Sequence, residues 1–335
     1  MRSSHDWSPE LDVLIGHLAR YYVEPDVAER VSDRLRARAA AYAGLDAAAF
    51  ADAVSDDMLA VSGDQHLFLQ YVEQGIPEST MDTVDEDLVD EDLVDDAALR
   101  AERAMLSGHG FARVERLPGN VGLLDIRNFY DPAVAGAGEA AVAAMTLVAS
   151  ADALIVDLRQ NTGGEPDMVT LTMSYLFDKR TELTSLYFPA ERKTIQGWTA
   201  YAPGPKYGGT KPIWVLTSPK TASGAEAFAY DLQQRGRATL VGEKTAGAGN
   251  FHYPRRVSAH FLSAVPSGYP VNPVSGTGWE RVGVQPDLAM PAEDAYDEAY
   301  RLALEHVLTL GESGARRRVA DAARSALASH SPRTP

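Results

Sequence analysis

The sequence contains no cysteine, which excludes disulfides, thiol nucleophiles and thiolate metal sites. It is also short of positive charge: 31 Lys and Arg stand against 47 Asp and Glu, a formal net charge of −16. A chain of that sign repels phosphate backbones, so neither nucleic acid nor an anionic membrane surface is an expected partner. No run approaches the roughly 18 consecutive apolar residues of a membrane span. The opening segment Met-Arg-Ser-Ser-His-Asp-Trp-Ser-Pro-Glu lacks an apolar h-region. No signal peptide is therefore expected and cytoplasmic residence is the default, although a secreted mature fragment would look similar. No GxxxxGKS or GxxxxGKT phosphate loop and no HExxH zinc motif occurs, and His252 and His260 lack a convincing ligand set, so neither a cofactor nor a metal is expected.

What is present is an ordinary globular balance. The 335 residues are 45% hydrophobic and 23% charged, enough apolar surface for a core and a length that suggests about two domains. Leu11, Leu14, Ile15, Leu18 and Tyr22 recur at helical spacing, with Ser8-Pro9 as a cap and first-turn pair. Asp26 to Tyr42 reads as a second helix entered through Pro25, and a third runs from the N-cap candidate Asp46 to about Ala60. The segment His66 to Val72 switches to strand-like composition. Residues 1–72 are thus expected to form a helical N-terminal cap domain ending in a strand.

An acidic linker is expected over 73–110. Val-Asp-Glu-Asp-Leu occurs twice in it, at 84–88 and 89–93, and nine acidic residues with no basic one fall between Asp82 and Asp96. Such a run is expected to be a solvated loop or a repelled helix face. It lacks the Gly and oxygen-ligand spacing of an EF-hand loop.

From Phe111 onward strands and helices alternate, which predicts an α/β core over 111–335. Phe111–Arg116 and Val121–Ile126 read as a hairpin about Pro118-Gly119-Asn120. Helices are expected over Ala135–Ala149, Asp167–Phe177 and Gly224–Arg235, and strands over Ala153–Asp157, Ile213–Leu216 and Thr239–Val241. A β-rich stretch to Val284 and two helices after Pro291 complete the chain, with Arg316-Arg317-Arg318 as a solvated basic face.

Four segments could carry chemistry. Thr217 to Glu226 joins an apolar strand to an amphipathic helix and holds Ser223 between Ala222 and Gly224. A serine there lies near helix-terminal N–H groups that favour developing negative charge, although a helix N-cap is the simpler role for it. Asp157-Leu-Arg-Gln-Asn-Thr-Gly163-Gly164 also follows a buried strand. Its glycines suit either an oxyanion hole or a tight turn needing positive φ. His66 opens a strand, as a base near neutral pH or as a structural histidine. Glu280 sits beside Trp279 in a turn-rich stretch, where alone it would read as a surface ion-pair partner.

Taken together and in this order, the segments SGDQHL, VDLRQNTGG, LTSPKTASGAEAFA, GRATLVGEKTAGAG and GVQPD resemble the tail-specific (C-terminal-processing) serine protease family. The likeness is to the branch of interphotoreceptor retinoid-binding protein modules and the tricorn protease core. The resemblance implies a helical N-terminal part and a crotonase-like ββα catalytic domain; a PDZ-like module, common in the tail-specific branch, has no room here. It implies Ser223 as nucleophile, with the Gly224 N–H and Gly163 or Gly164 as oxyanion donors. Many members use a lysine base between the glycines of a TFGKG-like turn. Here Ala248 replaces it, and Lys244 belongs to the preceding segment. The tricorn-like branch uses histidine, which His66 matches, with Glu280 at its carboxylate position. Gln65 stands where that branch has serine, as a possible orienter of His66 or the glutamate. The expected function is a cofactor-free serine hydrolase, a peptidase forming an acyl-enzyme on Ser223 with His66 as general base. The competing expectations are a hydrolase of a small ester or amide and a non-catalytic binding module for a hydrophobic small molecule.

Overall fold

The computed structural model describes residues 6–76 and 97–329. The chain divides into two compact units. The acidic repeat at 82–96 lies outside the described residues.

Among the described residues, the first unit takes in 6–76 and 97–100 together with 185–195 and 248–271. It is therefore not the contiguous 1–72 segment expected from the sequence, and 111–335 is not one continuous body. The physical reason is strand pairing. Three helices, α1 (Ser8–Tyr21), α2 (Pro25–Tyr42) and α3 (Ala47–Ser62), lead to β1 (Phe68–Tyr71). Strand β1 pairs antiparallel with β10 (Phe261–Val271), setting Phe68 opposite Ala264 and Tyr71 opposite Phe261. In turn β10 pairs with β9 (Phe251–Ser258). Leu14, Leu18, Val31, Leu35, Phe50, Val54 and Met58 share one core with Val257, Phe261 and Val265. The helical stripes are thus buried by strands some 200 residues downstream.

Local signals start and stop these helices. Asp46 Oδ1 accepts the Ala49 N–H at 2.9 Å, and Gly63 closes α3 at φ 68°, a conformation that costs glycine little. Ser8, expected as a cap, is instead the first residue of α1; its N–H and hydroxyl both donate to Asp6 Oδ1.

The second unit holds residues 101–184, 196–247 and 272–329 of those described. The residues expected as linker include a helix, α4 (Ala97–Leu106). A six-stranded sheet follows, built from β2 (Phe111–Leu117), β3 (Val121–Ile126), β4 (Ala153–Asp157), β7 (Ile213–Thr217), β8 (Thr239–Gly242) and β11 (Leu288–Ala289). Its spatial order is β11-β8-β7-β4-β3-β2; β2 is antiparallel to β3 and every other pairing is parallel. Helices α5 (Ala137–Val148), α6 (Pro166–Ser174) and α7 (Gly224–Gln234) share a core with Leu154 and Val156 of β4. On the other side, Ala153 and Ile155 pack with α8 (Ala295–Thr309) and α9 (Arg316–Ser329). A strand covered on both faces must be apolar throughout, which is why β4 reads as an unbroken hydrophobic run. The strands β5 (Glu182–Phe188) and β6 (Lys193–Trp198) were not expected from the sequence; the chain crosses between the two units within each of them.

Candidate active site

Ser223 sits where β7 turns into α7, as the N-cap of that helix. Its backbone is at φ 52° and ψ −121°. An N-cap normally keeps extended dihedrals, and a side-chain-bearing residue held at positive φ costs about 1–3 kcal/mol. The surrounding bonds impose this conformation. The Ser223 N–H donates to Glu226 Oε2 at 3.0 Å, while Glu226 Oε1 accepts from the Gly247 N–H at 2.7 Å and from the Thr245 hydroxyl at 2.5 Å. Glu226 is fully buried, so one carboxylate ties the serine turn to the Thr245–Gly247 turn. The latter extends the network, because Gly247 O accepts the Arg281 N–H at 2.8 Å.

The glycine loop after β4 lies against this turn. Asn161 donates from Nδ2 to Ile126 O, and its own carbonyl accepts the Ala222 N–H at 3.1 Å. The Thr221 hydroxyl donates to Leu158 O and the Ser218 hydroxyl to Arg159 O. These bonds stitch residues 158–164 to residues 218–223. The approach is close enough to require glycine: a Cβ on Gly163 would stand 2.7 Å from Ser223 Cβ, and one on Gly224 would stand 2.7 Å from Gly164 O.

The two glycines of the loop are not equivalent. The Gly163 N–H is engaged by Asn161 Oδ1 at 2.8 Å. Gly164 forms a parallel bridge to Phe129, closed by Phe129 N–H to Gly163 O and Glu165 N–H to Phe129 O. In such a bridge the central residue's own N–H points away from its partner. The Gly224 N–H is the first amide of α7, a position with no intrahelical acceptor. Gly164 and Gly224 are therefore the candidate oxyanion donors, and Gly163 supplies the close approach.

Glu280 belongs to the same unit, and its side chain is 16% exposed. Arg281 Nε lies 3.8 Å from Glu280 Oε1, and the Gly283 N–H closes the turn onto Trp279 O.

His66 belongs to the other unit. Its Nδ1 lies 2.5 Å from Asn250 O. A carbonyl only accepts, so Nδ1 carries the proton and Nε2 carries the lone pair, the tautomer that a general base needs. Asp64, fully buried, holds the support in place. It accepts from the His66 N–H, from Asn250 Nδ2 at 2.8 Å and from the Tyr22 hydroxyl at 3.0 Å. Burial pushes the His66 imidazole below its ordinary pKa, against the upward pull of Asp64 and of the Asn250 carbonyl. The orienter of Nδ1 is thus a backbone carbonyl, not the Glu280 carboxylate, and Gln65 is exposed.

Lys244 is exposed and Ala248 is buried, so no desolvated lysine occupies either position considered for a lysine base. Among the described residues no group of three His, Asp or Glu side chains could hold a metal ion, and no helix is long and apolar enough to cross a membrane. A cleft of about 550 Å³ at the ends of β3 and β4 is lined by Arg113, Arg127 and Arg159. Each guanidinium is already paired, with Glu115, Asp125 and Asp157 respectively; Ser218 and Arg159 line it, whereas Ser223, Glu226, Glu280, His66 and the three glycines do not.

A strained serine at a strand-to-helix turn, with unengaged amides beside it, is the construction of a serine nucleophile. The model of peptidase family S41 matches residues 120–290, half of the chain, and the chain belongs to that family. A carboxyl-terminal-processing protease of Synechocystis sp. is 37% identical over 100 residues, 30% of this chain and 22% of that relative. The chain thus matches only about a fifth of the curated relative's length. Among solved structures, a lipoprotein from Streptococcus agalactiae superposes with a TM-score of 0.60 at 15% identity, covering 88% of this chain and 95% of that one. The tricorn protease gives 0.52 at 14% identity, covering 88% and 36%. These likenesses show a shared fold.

Three residues that position the site were missed in the sequence: Glu226, Asp64 and Asn250. Glu226 had a visible signal, the Ser-x-x-Glu spacing of a capping box. Asn250 acts through its carbonyl, which no side-chain pattern reveals.

Proposed function

We propose that the protein is a serine peptidase that cleaves amide bonds through an acyl-enzyme on Ser223. The observation that carries this reading is the strained Ser223 turn, which Glu226 ties to the Thr245–Gly247 turn and which lies in close contact with the Gly163–Gly164 loop. His66 takes the proton from Ser223 through Nε2 during attack and returns it to the leaving amine. The Gly224 and Gly164 amides stabilise the oxyanion, at a helix N-terminus that favours negative charge. Glu280 stabilises the arrangement from the neighbouring turn. The substrate is a peptide; hydrolysis of a small ester or amide would use the same groups.

Labelling with a fluorophosphonate tests the proposal. The wild type should be modified on Ser223 and the Ser223→Ala variant should not. A folded wild type that resists labelling would return weight to a non-catalytic module binding a hydrophobic small molecule.

A further inference from the structure

His252 lies on β9 beside His66 and has no part in the chemistry above. The two imidazoles meet with ring centroids 5.7 Å apart at 60°. Phe68 of β1 packs against the other ring edge to face, at 5.6 Å and 83°. His252 Nδ1 is sealed from solvent with no hydrogen-bond partner. A nitrogen so placed has neither water nor an acceptor to support a charge, so this imidazole behaves as an uncharged ring.

We propose that His252 is a positioning residue that acts on His66 as a desolvating wall, holding the imidazole dry and so setting its basicity. The proposal rests on the reading of His66 as the general base. Asp64, in the loop before β1, favours protonation of His66, and Asn250 contributes a carbonyl that does the same. His252 is the titratable neighbour from β9, and burial followed by the proximity of His66 pushes its own pKa down to about 4. With a carboxylate and a carbonyl both pulling upward, desolvation is what keeps His66 low, and the aromatic layer of His252 and Phe68 covers this corner. Lowering the pKa of a base favours its unprotonated form at neutral pH, the form that can accept the Ser223 proton.

The ring, and not its nitrogens, provides the effect, and this separates the variants. The pKa of His66 is read by NMR titration of the full chain without substrate, with His66→Gln identifying the resonance. The wild type should titrate below the ordinary value of about 6.5. His252→Ala should admit water and raise the His66 pKa above that of the wild type, whereas His252→Phe should leave it low. If His252→Ala does not fold, His252→Gln removes the ring while keeping length and polarity, and should raise the pKa in the same direction. An unchanged pKa in the ringless variants, or an equal rise in His252→Phe, overturns the proposal. The titration needs no turnover, so it is independent of the peptidase reading. Fluorophosphonate labelling of His66→Gln tests the base assignment separately.

Discussion

In the six-stranded unit Ser223 is held by backbone geometry and one buried carboxylate; in the helical unit His66 is held by ring packing and one carbonyl. The first device is rigid and costly. It forces a positive φ on a serine and buries Glu226 among the Ser223, Gly247 and Thr245 donors. The second tunes protonation: Asn250 O fixes the tautomer, while burial lowers the pKa. In the proposed mechanism Ser223 needs placement, because a serine hydroxyl is a weak nucleophile until a base takes its proton. A base needs the right affinity for a proton, which its environment sets.

The largest expected effect breaks the first half of this comparison. Ser223→Ala should lower turnover by about three orders of magnitude or more, while thermal unfolding shifts by less than about 1 kcal/mol. Retained turnover in a clean preparation would show that the serine is not the nucleophile. The second effect breaks the other half. His66→Ala should slow acylation by about 10²–10⁴-fold, Glu280→Gln should be intermediate, and Lys244→Ala should keep most activity because its ammonium is exposed. Stopped-flow acylation rates decide the ranking, and an indispensable Lys244 would reinstate a lysine base.

Glu226→Ala sharpens the contrast between placement and tuning. Removing the carboxylate strands its buried donors, at a cost of about 3 kcal/mol, and should abolish labelling although Ser223 and His66 remain. Chemical denaturation and fluorophosphonate labelling of the same preparation check both parts, and a stable variant that still labels would contradict the role given to Glu226.

The smallest effect lies in the pH dependence of stability, where the two units oppose each other. The His252 pKa is lowered to about 4, so its contribution is fully present above the unfolded value of about 6.5 and is lost as pH falls toward 4. Asp231, on α7, is raised to about 6 by burial, against the bonds from Thr184 and Asn272. Its contribution is present at acid pH and lost as pH rises through 6. Each amounts to at most about 1.4 kcal/mol per pH unit. Between pH 7 and 4.5 the melting temperature of His252→Phe should fall less than that of the wild type. That of Asp231→Asn should fall more. Parallel curves for all three would remove both assignments.

Much of the fold was legible. The stripe of Leu11, Leu14 and Leu18, the Asp46 cap and the apolar run of β4 each state a local preference that the structure keeps. Strand β6 was missed because its residues Lys193–Gln196 are exposed, so no buried face imprinted an alternation on the sequence. The serine turn, the glycine loop and the absence of a lysine at Ala248 were legible too. Which glycine amide stays unengaged was not, because that depends on Asn161 Oδ1 accepting the Gly163 N–H two residues ahead.

By itself the sequence determined the local elements, the lack of any thiol chemistry and the placing of Ser223 at a strand-to-helix turn. These follow from residue type and spacing over a few residues. Only the tertiary structure decided that β9 and β10 complete the helical unit, that Glu226 clamps the Ser223 turn to the Thr245–Gly247 turn, and that a carbonyl orients His66. Backbone partners carry no residue signature, and strand pairing between distant segments is settled by which surfaces exclude water together once the chain has closed.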